Sequence, residues 1–342
     1  MRQCCVEISD FRELTDLIRA DHPSLVQRVL APESAFQTER LTVGSLMHGM
    51  ADRLAAGLRG CDPADLPTII YAWGKARVGS TALTNMFGIA GLPAYYQPVK
   101  AIARQMLMGR DGAAWTLPSR RLHPYVFAKE TAGPYSPAEC LYMPLQALIE
   151  AGYPAAKLHL IMLDRNPADS LASWLDKLSG RLPAERLERH HILASLNGIR
   201  VEAQARRSGV AVTHYVYEAS RDPVRAARVL FQRLGLAHRF TASAVTDWQD
   251  RGNLESADCG IIYPDEPDIY RLPGLHGTAT AYCYRDRRKN APTEMQRAMM
   301  SEYGLDELYR ASAAACTAEL GIDLATTAGP TGFDDRRHST AA

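Results

Sequence analysis

The sequence predicts an α/β protein with three layers, in which a central, mostly parallel sheet is flanked by helices. Short apolar runs recur at residues 68–73, 125–128, 158–163 and 210–217, as expected for strands that are buried on both faces. Helical stretches are predicted after these runs, at about residues 81–90, 139–151, 167–208 and 221–235. Strands that alternate with helices form βαβ units, which place the strands parallel in one sheet.

Outside these units, the sequence predicts helices before the first strand and irregular segments near the C-terminus. Ser9 is a good helix cap, and Phe11 and Ile18 share a helical face behind it, which indicates helices before the first strand. We therefore expect a helical extension over 1–64 that packs on a main α/β domain over 65–324. Residues 250–290 are rich in Gly, Pro, Asp and Arg, which favours a long loop region. Residues 325–342 are small and polar, which predicts a flexible tail.

The composition excludes several classes of protein. The 342 residues are 46% hydrophobic and 23% charged, and the net charge is +1. This composition is typical of an ordinary globular protein. A net charge so close to zero provides no overall electrostatic attraction for nucleic acid. The seven cysteines include no CxxC pair, which disfavours a metal site or a disulfide framework. No apolar run approaches the roughly 18 residues that span a bilayer, and no signal peptide precedes the first helix. We expect a soluble, cytoplasmic protein without nucleic-acid, membrane or metal partners, and the composition indicates no particular oligomeric state.

A glycine loop follows the first predicted strand and precedes a helix. Gly74 and Gly79 have the GxxxxG spacing of a P-loop, in which backbone N–H groups and a helix N-terminus bind an anion. Ser80 stands where a nucleotidase carries its lysine, and the positive charges lie inside the loop at Lys75 and Arg77. The loop predicts a P-loop NTPase-like fold with an unusual anion site. The alternative is a helix-capping turn that binds nothing.

A second motif follows the strand at 158–163. Arg165 comes directly after the strand, Pro167 suits the first turn of the next helix, and Ser173 lies eight residues after the arginine. A guanidinium fork and a hydroxyl suit a terminal phosphate, and ligands bind at the carboxyl ends of strands in such sheets. Two alternatives remain open: a helix-surface pair between Arg165 and Asp169, and a magnesium-binding strand that ends at Asp164.

The two motifs, about 90 residues apart in this order, resemble those of the sulfotransferases that use 3′-phosphoadenosine 5′-phosphosulfate (PAPS). The resemblance covers residues 67–240. It implies PAPS as co-substrate and Arg77 beside the oxygen that bridges phosphate and sulfur, with Arg165 and Ser173 on the 3′-phosphate. The loop residues that it assigns to the 5′-phosphosulfate are Arg77, Val78, Gly79, Ser80 and Thr81. Many members carry Trp soon after the loop. Ala82-Leu83 departs from that pattern, so the resemblance assigns no residue to adenine stacking.

The remaining candidates concern catalysis and the donor's far end. In the family the general base lies at a strand end, which points to Glu130 after the run at 125–128, with His123 as the rival base. Glu130, Arg77 and Lys75 are thus the candidate catalytic residues, and Lys129 is expected to help hold the sulfonate. The late basic cluster at 285–289 resembles the family's 3′-phosphate loop in charge and position only; its Arg287 and Arg288 are candidate donor ligands, and a solvated charged face is the alternative.

The function that these observations predict is transfer of a sulfuryl group from PAPS to a hydroxyl or amine of a small-molecule acceptor, by in-line displacement and without a metal. Two alternatives stay open. One is a magnesium-dependent kinase or NTPase with a degenerate P-loop, which would give Asp164 a role. The other is a nucleotide-binding protein without turnover, for which Glu130 would not face the donor.

Overall fold

The strands and helices alternate along the chain in this computed structural model, which describes residues 8–111, 115–248, 261–271, 281–284 and 291–324, with side chains from Phe11 onward. The strands are β1 (Val29–Leu30), β2 (Leu41–Thr42), β3 (Thr68–Lys75), β4 (Ala94–Tyr96), β5 (Tyr125–Ala132), β6 (Leu158–Asp164), β7 (Ala211–Val216) and β8 (Ile261–Ile262). The helices are α1 (Ile8–Arg19), α2 (Val43–Leu58), α3 (Ser80–Ile89), α4 (Pro98–Leu107), α5 (Pro137–Leu141), α6 (Pro144–Glu150), α7 (Pro167–Leu178), α8 (Ala184–Arg207), α9 (Pro223–Arg233), α10 (Ser243–Thr246), α11 (Glu294–Glu302) and α12 (Leu305–Leu320).

A six-stranded parallel sheet forms the centre of the described structure. Its strand order is β7-β6-β3-β5-β4-β8, and each neighbouring pair runs parallel. The first strand of the sheet, β3, thus lies between strands that follow it in sequence, and β3, β5 and β6 are covered on both faces. This confirms the predicted α/β fold with a P-loop-like, three-layer arrangement.

Helices cover both faces of the sheet because its apolar side chains alternate between them. On one face, Phe87 of α3 stacks between Phe127 of β5 and Phe231 of α9, with ring centroids 4.3 and 4.7 Å apart. On the other face, Tyr71 and Trp73 of β3 belong to a core that includes residues of α2, α6 and α8. Helix α12 lies against β7 at the edge of the sheet.

The N-terminal segment packs into the second of these cores. Helix α1 lies against α8, and α2 lies against α6 and α4. Helix α2 begins with a capping box, in which Thr42 and Ser45 each accept a hydrogen bond from the other's backbone N–H, at 3.0 and 2.9 Å. Met50 on α2 is fully buried in the same core as Tyr71. Helices before the first sheet strand are therefore present, as the sequence predicts.

Some predicted boundaries differ from the structure. The stretch 167–208 is divided into α7 and α8 at the turn around Gly180 and Pro183, as expected from these two residues. The three-residue strand β4 and the helices α11 and α12 were not predicted. Strand β5 is longer than its predicted span, 125–128, and continues to Ala132. A membrane-crossing helix is not found among the described residues, because none is both long and apolar enough.

Candidate active site

The glycine loop lies at the carboxyl end of β3, where the chain turns into α3. Gly79 is the N-cap of α3 with φ of +82°, and no side chain accepts a hydrogen bond at this cap. A Cβ on Gly79 would lie 2.5 Å from Cδ2 of Tyr217, so this position requires glycine for two reasons. Arg77 also has a left-handed backbone, with φ of +70°. The first turn of this ten-residue helix has no side-chain cap, and the N–H groups of such a turn can bind an anion.

The loop side chains divide into core and site residues. Val78 is buried in the core on the α3 face, so only its backbone is available to a ligand. Ser80, in the position of the Walker lysine, is buried, and its carbonyl accepts a hydrogen bond from Oγ1 of Thr84 at 3.0 Å. Thr81 hydrogen-bonds the hydroxyl of Tyr96 at the end of β4. The loop therefore contributes backbone groups and small hydroxyls, with Arg77 as its half-buried cation.

The two predicted motifs meet in space. Nε of Arg77 donates to Oγ of Ser173 at 3.0 Å, and Nη1 of Arg165 donates to the carbonyl of Arg77 at 3.2 Å. Trp174, next to Ser173 on α7, donates its indole N–H to the carbonyl of Ala76 at 2.7 Å. The middle of α7 and Arg165, which precedes this helix, are therefore joined to the glycine loop by three hydrogen bonds. Residues separated by about 90 positions form one cationic site.

Arg165 is held with part of its hydrogen-bonding capacity free. Its guanidinium carbon lies 4.6 Å from the centroid of the Tyr217 ring, a cation–π contact. Its Nε is buried and has no hydrogen-bond partner among the described residues. The next residue, Asn166, caps α7 by accepting from the N–H groups of Ala168 and Asp169 at 3.0 and 3.2 Å. A buried donor without an acceptor is costly, and an anionic ligand at this position would supply an acceptor.

Lys75, expected to be catalytic, is paired with Asp164 at the ends of the neighbouring strands β3 and β6. Its Nζ hydrogen-bonds Oδ1 of Asp164, and the lysine side chain is only 6% exposed. The same Oδ1 accepts the backbone N–H of Arg165 at 2.8 Å. Asp164 thus neutralises the lysine and supports the segment that carries Arg165. A magnesium ion at Asp164 would have to displace this lysine.

The sequence predicted that Glu130 lies at a strand end. In the structure it lies within β5, two residues before the last residue of the strand, Ala132. Its carboxylate is fully buried and accepts three hydrogen bonds, from the N–H groups of Val99 and Lys100 at 2.7 and 3.1 Å and from the hydroxyl of Tyr142 at 3.0 Å. Val99 and Lys100 are in the first turn of α4, so Glu130 caps that helix from the sheet. Burial raises the pKa of Glu130 to about 7, although the donors oppose this. This position favours a structural role.

Lys129 faces the opposite side of the sheet from Glu130, as alternation along a strand requires. Its Nζ lies 3.8 Å from the centroid of the Tyr96 ring and donates to Oε1 of Gln97 at 3.2 Å. Burial lowers the pKa of Lys129 well below its ordinary value. Because Tyr96 also hydrogen-bonds Thr81, Lys129 supports the start of α3 through an aromatic ring.

The remaining candidates from the sequence are His123, Arg287 and Arg288. His123 precedes β5 at the amino edge of the sheet, and eight residues at about 3.3 Å each separate that edge from the glycine loop. It therefore lies too far away to act as a base there. Arg287 and Arg288 lie outside the described residues. Tyr284, just before them, has its ring 5.1 Å from that of Tyr217.

Sequence reasoning missed two aromatic residues of the site. Tyr217, interpreted as part of a structural strand end, closes over Gly79 and Arg165. Trp174 holds the glycine loop through its hydrogen bond to the Ala76 carbonyl. Its ring packs edge-on against that of His191 at a centroid distance of 5.4 Å. Their signal was position: Tyr217 directly follows the strand β7, and Trp174 directly follows Ser173 in the motif.

The site presents two neighbouring sets of hydrogen-bond donors of a kind that suits anions. One set is the uncapped start of α3 with Arg77, and the other is formed by Arg165 and Ser173. Among the residues with described side chains, no group of three or more His, Cys, Asp or Glu side chains is arranged to hold a metal ion. Comparison of the chain with protein-family models, with curated proteins and with solved structures found no match.

Proposed function

We propose that this protein transfers a sulfuryl group from PAPS to a hydroxyl or amine of a small-molecule acceptor. The observation that carries the proposal is the direct joining of the two motifs, in which Arg77 bonds Ser173 and Arg165 bonds the Arg77 carbonyl. A nucleotide with phosphate groups at both its 5′ and 3′ positions presents two anions to such a site. Arginine forks suit both of them.

The chemistry follows from where negative charge develops. A new bond forms between the acceptor atom and sulfur while the bond from sulfur to the bridging oxygen breaks. The electron pair stays on the 5′-phosphate, and the acceptor's proton passes to a base. Arg77 and the N–H groups at the start of α3 stabilise the charge on the leaving phosphate. Arg165 and Ser173 hold the 3′-phosphate and so favour this donor over ATP.

The magnesium-dependent alternative has less support. A nucleotidase uses a P-loop lysine on the β- and γ-phosphates and a carboxylate on the metal. Ser80 occupies the lysine's position, and Asp164 is paired with Lys75. The site therefore offers neither a lysine at the usual P-loop position nor an unpaired carboxylate at Asp164.

One observation favours a second candidate function, nucleotide binding without turnover. Glu130 is enclosed by three hydrogen-bond donors and has no exposure to an acceptor. A protein of this kind would bind the desulfated product, 3′-phosphoadenosine 5′-phosphate (PAP), and would sulfonate no acceptor. Turnover of PAPS with an acceptor panel separates the two candidates.

The first test is calorimetric binding of PAP in EDTA, with ATP and AMP for comparison. We expect PAP to bind best and Arg165→Ala to weaken it roughly ten- to hundredfold, since hydrogen bonds to charged groups contribute about 1.5–3 kcal/mol. Arg233→Ala is the matched control, because Arg233 is an exposed arginine on α9. Tighter binding of ATP that depends on magnesium would overturn the proposal in favour of a nucleotidase.

A further inference from the structure

Three lysines are buried in the described part of the chain, and they differ in what neutralises them. Lys75 is paired with Asp164, and Nζ of Lys100 lies 3.6 Å from Oε2 of Glu139. Lys129 is only 2% exposed, and it forms no salt bridge with a carboxylate among the described residues. A buried ammonium group without a counter-ion is costly, so this environment favours the neutral amine.

The contacts of the Lys129 amine are ones that a neutral group can make. Its Nζ donates to Oε1 of Gln97 at 3.2 Å and lies 3.8 Å from the centroid of the Tyr96 ring. The hydroxyl of Thr131 donates to the same amide oxygen at 2.6 Å, so both lone pairs of that oxygen are in use. The amine therefore has one long hydrogen bond and an aromatic face as partners, and neither carries a full negative charge.

The charged groups around Lys129 do not replace the hydration that it has lost. Burial lowers its pKa most, and the positive charges of Lys100 and Arg104 on α4 lower it further. Glu130 and Glu266 act in the opposite direction, but neither forms a salt bridge with the lysine. Glu266 bonds Arg104 at 2.5 Å, and Glu130 accepts its three hydrogen bonds from other groups. The pKa of Lys129 therefore lies well below its ordinary value.

Lys129 lies beneath the first turn of α3, whose N–H groups form the proposed anion site. Phe127, two residues earlier on the same face of β5, stacks on Phe87 of α3. From this stack, Lys129 lies about 7 Å toward the carboxyl end of the strand, and the start of α3 lies about 10 Å in the same direction. The ring of Tyr96, which lies against the amine, carries the hydroxyl that bonds Thr81 in that turn.

An anion at the start of α3 would change the balance of charge at this lysine. A phosphate monoester carries a charge of about −1.5 to −2 at neutral pH, and a nearby negative charge favours the protonated form of an amine. Buried groups are screened by salt much less than exposed ones. The missing counter-ion of Lys129 would then be the ligand itself.

We propose that Lys129 is uncharged in the free protein and takes up a proton from solvent when the 5′-phosphate of the donor binds at the start of α3. The inference rests on the proposed function, because that donor supplies the anion. One proton is added to the Nζ lone pair, and no bond of the nucleotide changes. The pKa of the amine is higher in the complex than in the free protein, so donor affinity falls as the pH rises between these two values, by at most about tenfold per pH unit.

The test is calorimetric titration with PAP in Hepes and in Tris buffer. These buffers differ in ionisation enthalpy, so the difference in binding heat gives the number of protons taken up. The range is about pH 7.5 to about pH 9, where the phosphates of PAP are already ionised because their second pKa is about 6. We expect the wild type to take up at least about half a proton per PAP within this range. Lys129→Met should lose the uptake. Lys177→Met is the matched control, because Lys177 is an exposed lysine on α7, and it should match the wild type.

A second variant keeps the positive charge but cannot titrate. Arginine stays protonated throughout this range, so Lys129→Arg should bind PAP without proton uptake and with an affinity that depends little on pH. Urea unfolding checks the fold, and Lys129→Met should be at least as stable as the wild type, because it removes a buried amine and keeps an unbranched side chain.

The outcomes separate the inference from the proposed function. If PAP binds the wild type without proton uptake, Lys129 does not change its charge and the inference is wrong. Uptake that persists in Lys129→Met or in Lys129→Arg would assign the proton to another group and would also overturn it. If PAP fails to bind the wild type at all, the proposed function itself is wrong.

Discussion

Replacing Glu130 with glutamine gives a direct test of how this buried carboxyl acts. In the folded protein its pKa is raised from 4.5 to about 7, chiefly by burial. The folded state therefore holds a proton that the unfolded chain has already released at the same pH. Stability from the protonated form is fully present below about pH 4.5 and is lost as the pH rises through about 7. The two values differ by about 2.5, and each pH unit corresponds to about 1.4 kcal/mol, so the loss is roughly 3 kcal/mol.

The assay is urea unfolding of wild type and Glu130→Gln between about pH 5 and about pH 8. A glutamine amide cannot ionise, and its oxygen can still accept the Val99 N–H. We expect the wild type to lose stability relative to the variant by about 2–3 kcal/mol over this range. Tyr142→Phe is the control, because it removes one donor to Glu130 and leaves the carboxyl ionisable. Parallel pH profiles for wild type and Glu130→Gln would refute the reasoning.

The same variant also tests the role that the sequence predicted. A helix cap affects turnover only through the fold, so kcat of Glu130→Gln with an acceptor from the panel should change by less than about tenfold at a pH where the variant is folded. General bases contribute about 10²- to 10⁴-fold. A loss of that size with unchanged PAP affinity would restore Glu130 as the base.

Three further outcomes are expected. Gly79→Ala should destabilise the fold by about 1–3 kcal/mol in urea, because its φ is +82° and its Cβ would meet Tyr217; a neutral result would contradict both causes. Arg77→Ala should abolish most turnover while circular dichroism stays unchanged, and near-normal turnover would exclude its role beside the leaving phosphate. His214, whose pKa burial lowers but hydrogen bonds to Glu202 and Glu319 raise overall, should stabilise β7 against α12 at low pH and lose this as the pH rises through its raised pKa. Protection of the α12 amides against hydrogen exchange, corrected for the intrinsic rise of exchange with pH, should therefore fall from about pH 6 to about pH 8 in the wild type and much less in His214→Gln.

The parallel sheet could be predicted because its signal is local. Strands β3, β6 and β7 appear as apolar runs, and the helices between them have helical length and spacing. Strand β5 shows where local reasoning stops. Its last residues, including Lys129 and Glu130, are polar, and they remain in the strand because Gln97 and the first turn of α4 supply partners from more than 25 positions earlier. No pattern within 125–132 contains that information.

The site was predicted in part for a similar reason. Arg77, Arg165 and Ser173 were identified by spacing within two motifs, and the structure brings these three residues together through two hydrogen bonds. Tyr217 was not identified as part of the site, because its role depends on how the end of β7 is placed over Gly79. A motif fixes residues that share one loop or one helix. The packing of β7 beside β6 fixes the rest.

Lys75 shows that a residue's role, as predicted from a motif, changes when a neighbouring strand supplies a partner for it. In sequence it is a second cation inside the glycine loop, and charge alone makes it a candidate for catalysis. In the fold, parallel pairing of β3 with β6 places it beside Asp164, and a buried, paired charge cannot be removed from its partner without a large cost. Of the two loop cations, Lys75 and Arg77, only Arg77 contacts Ser173 of α7.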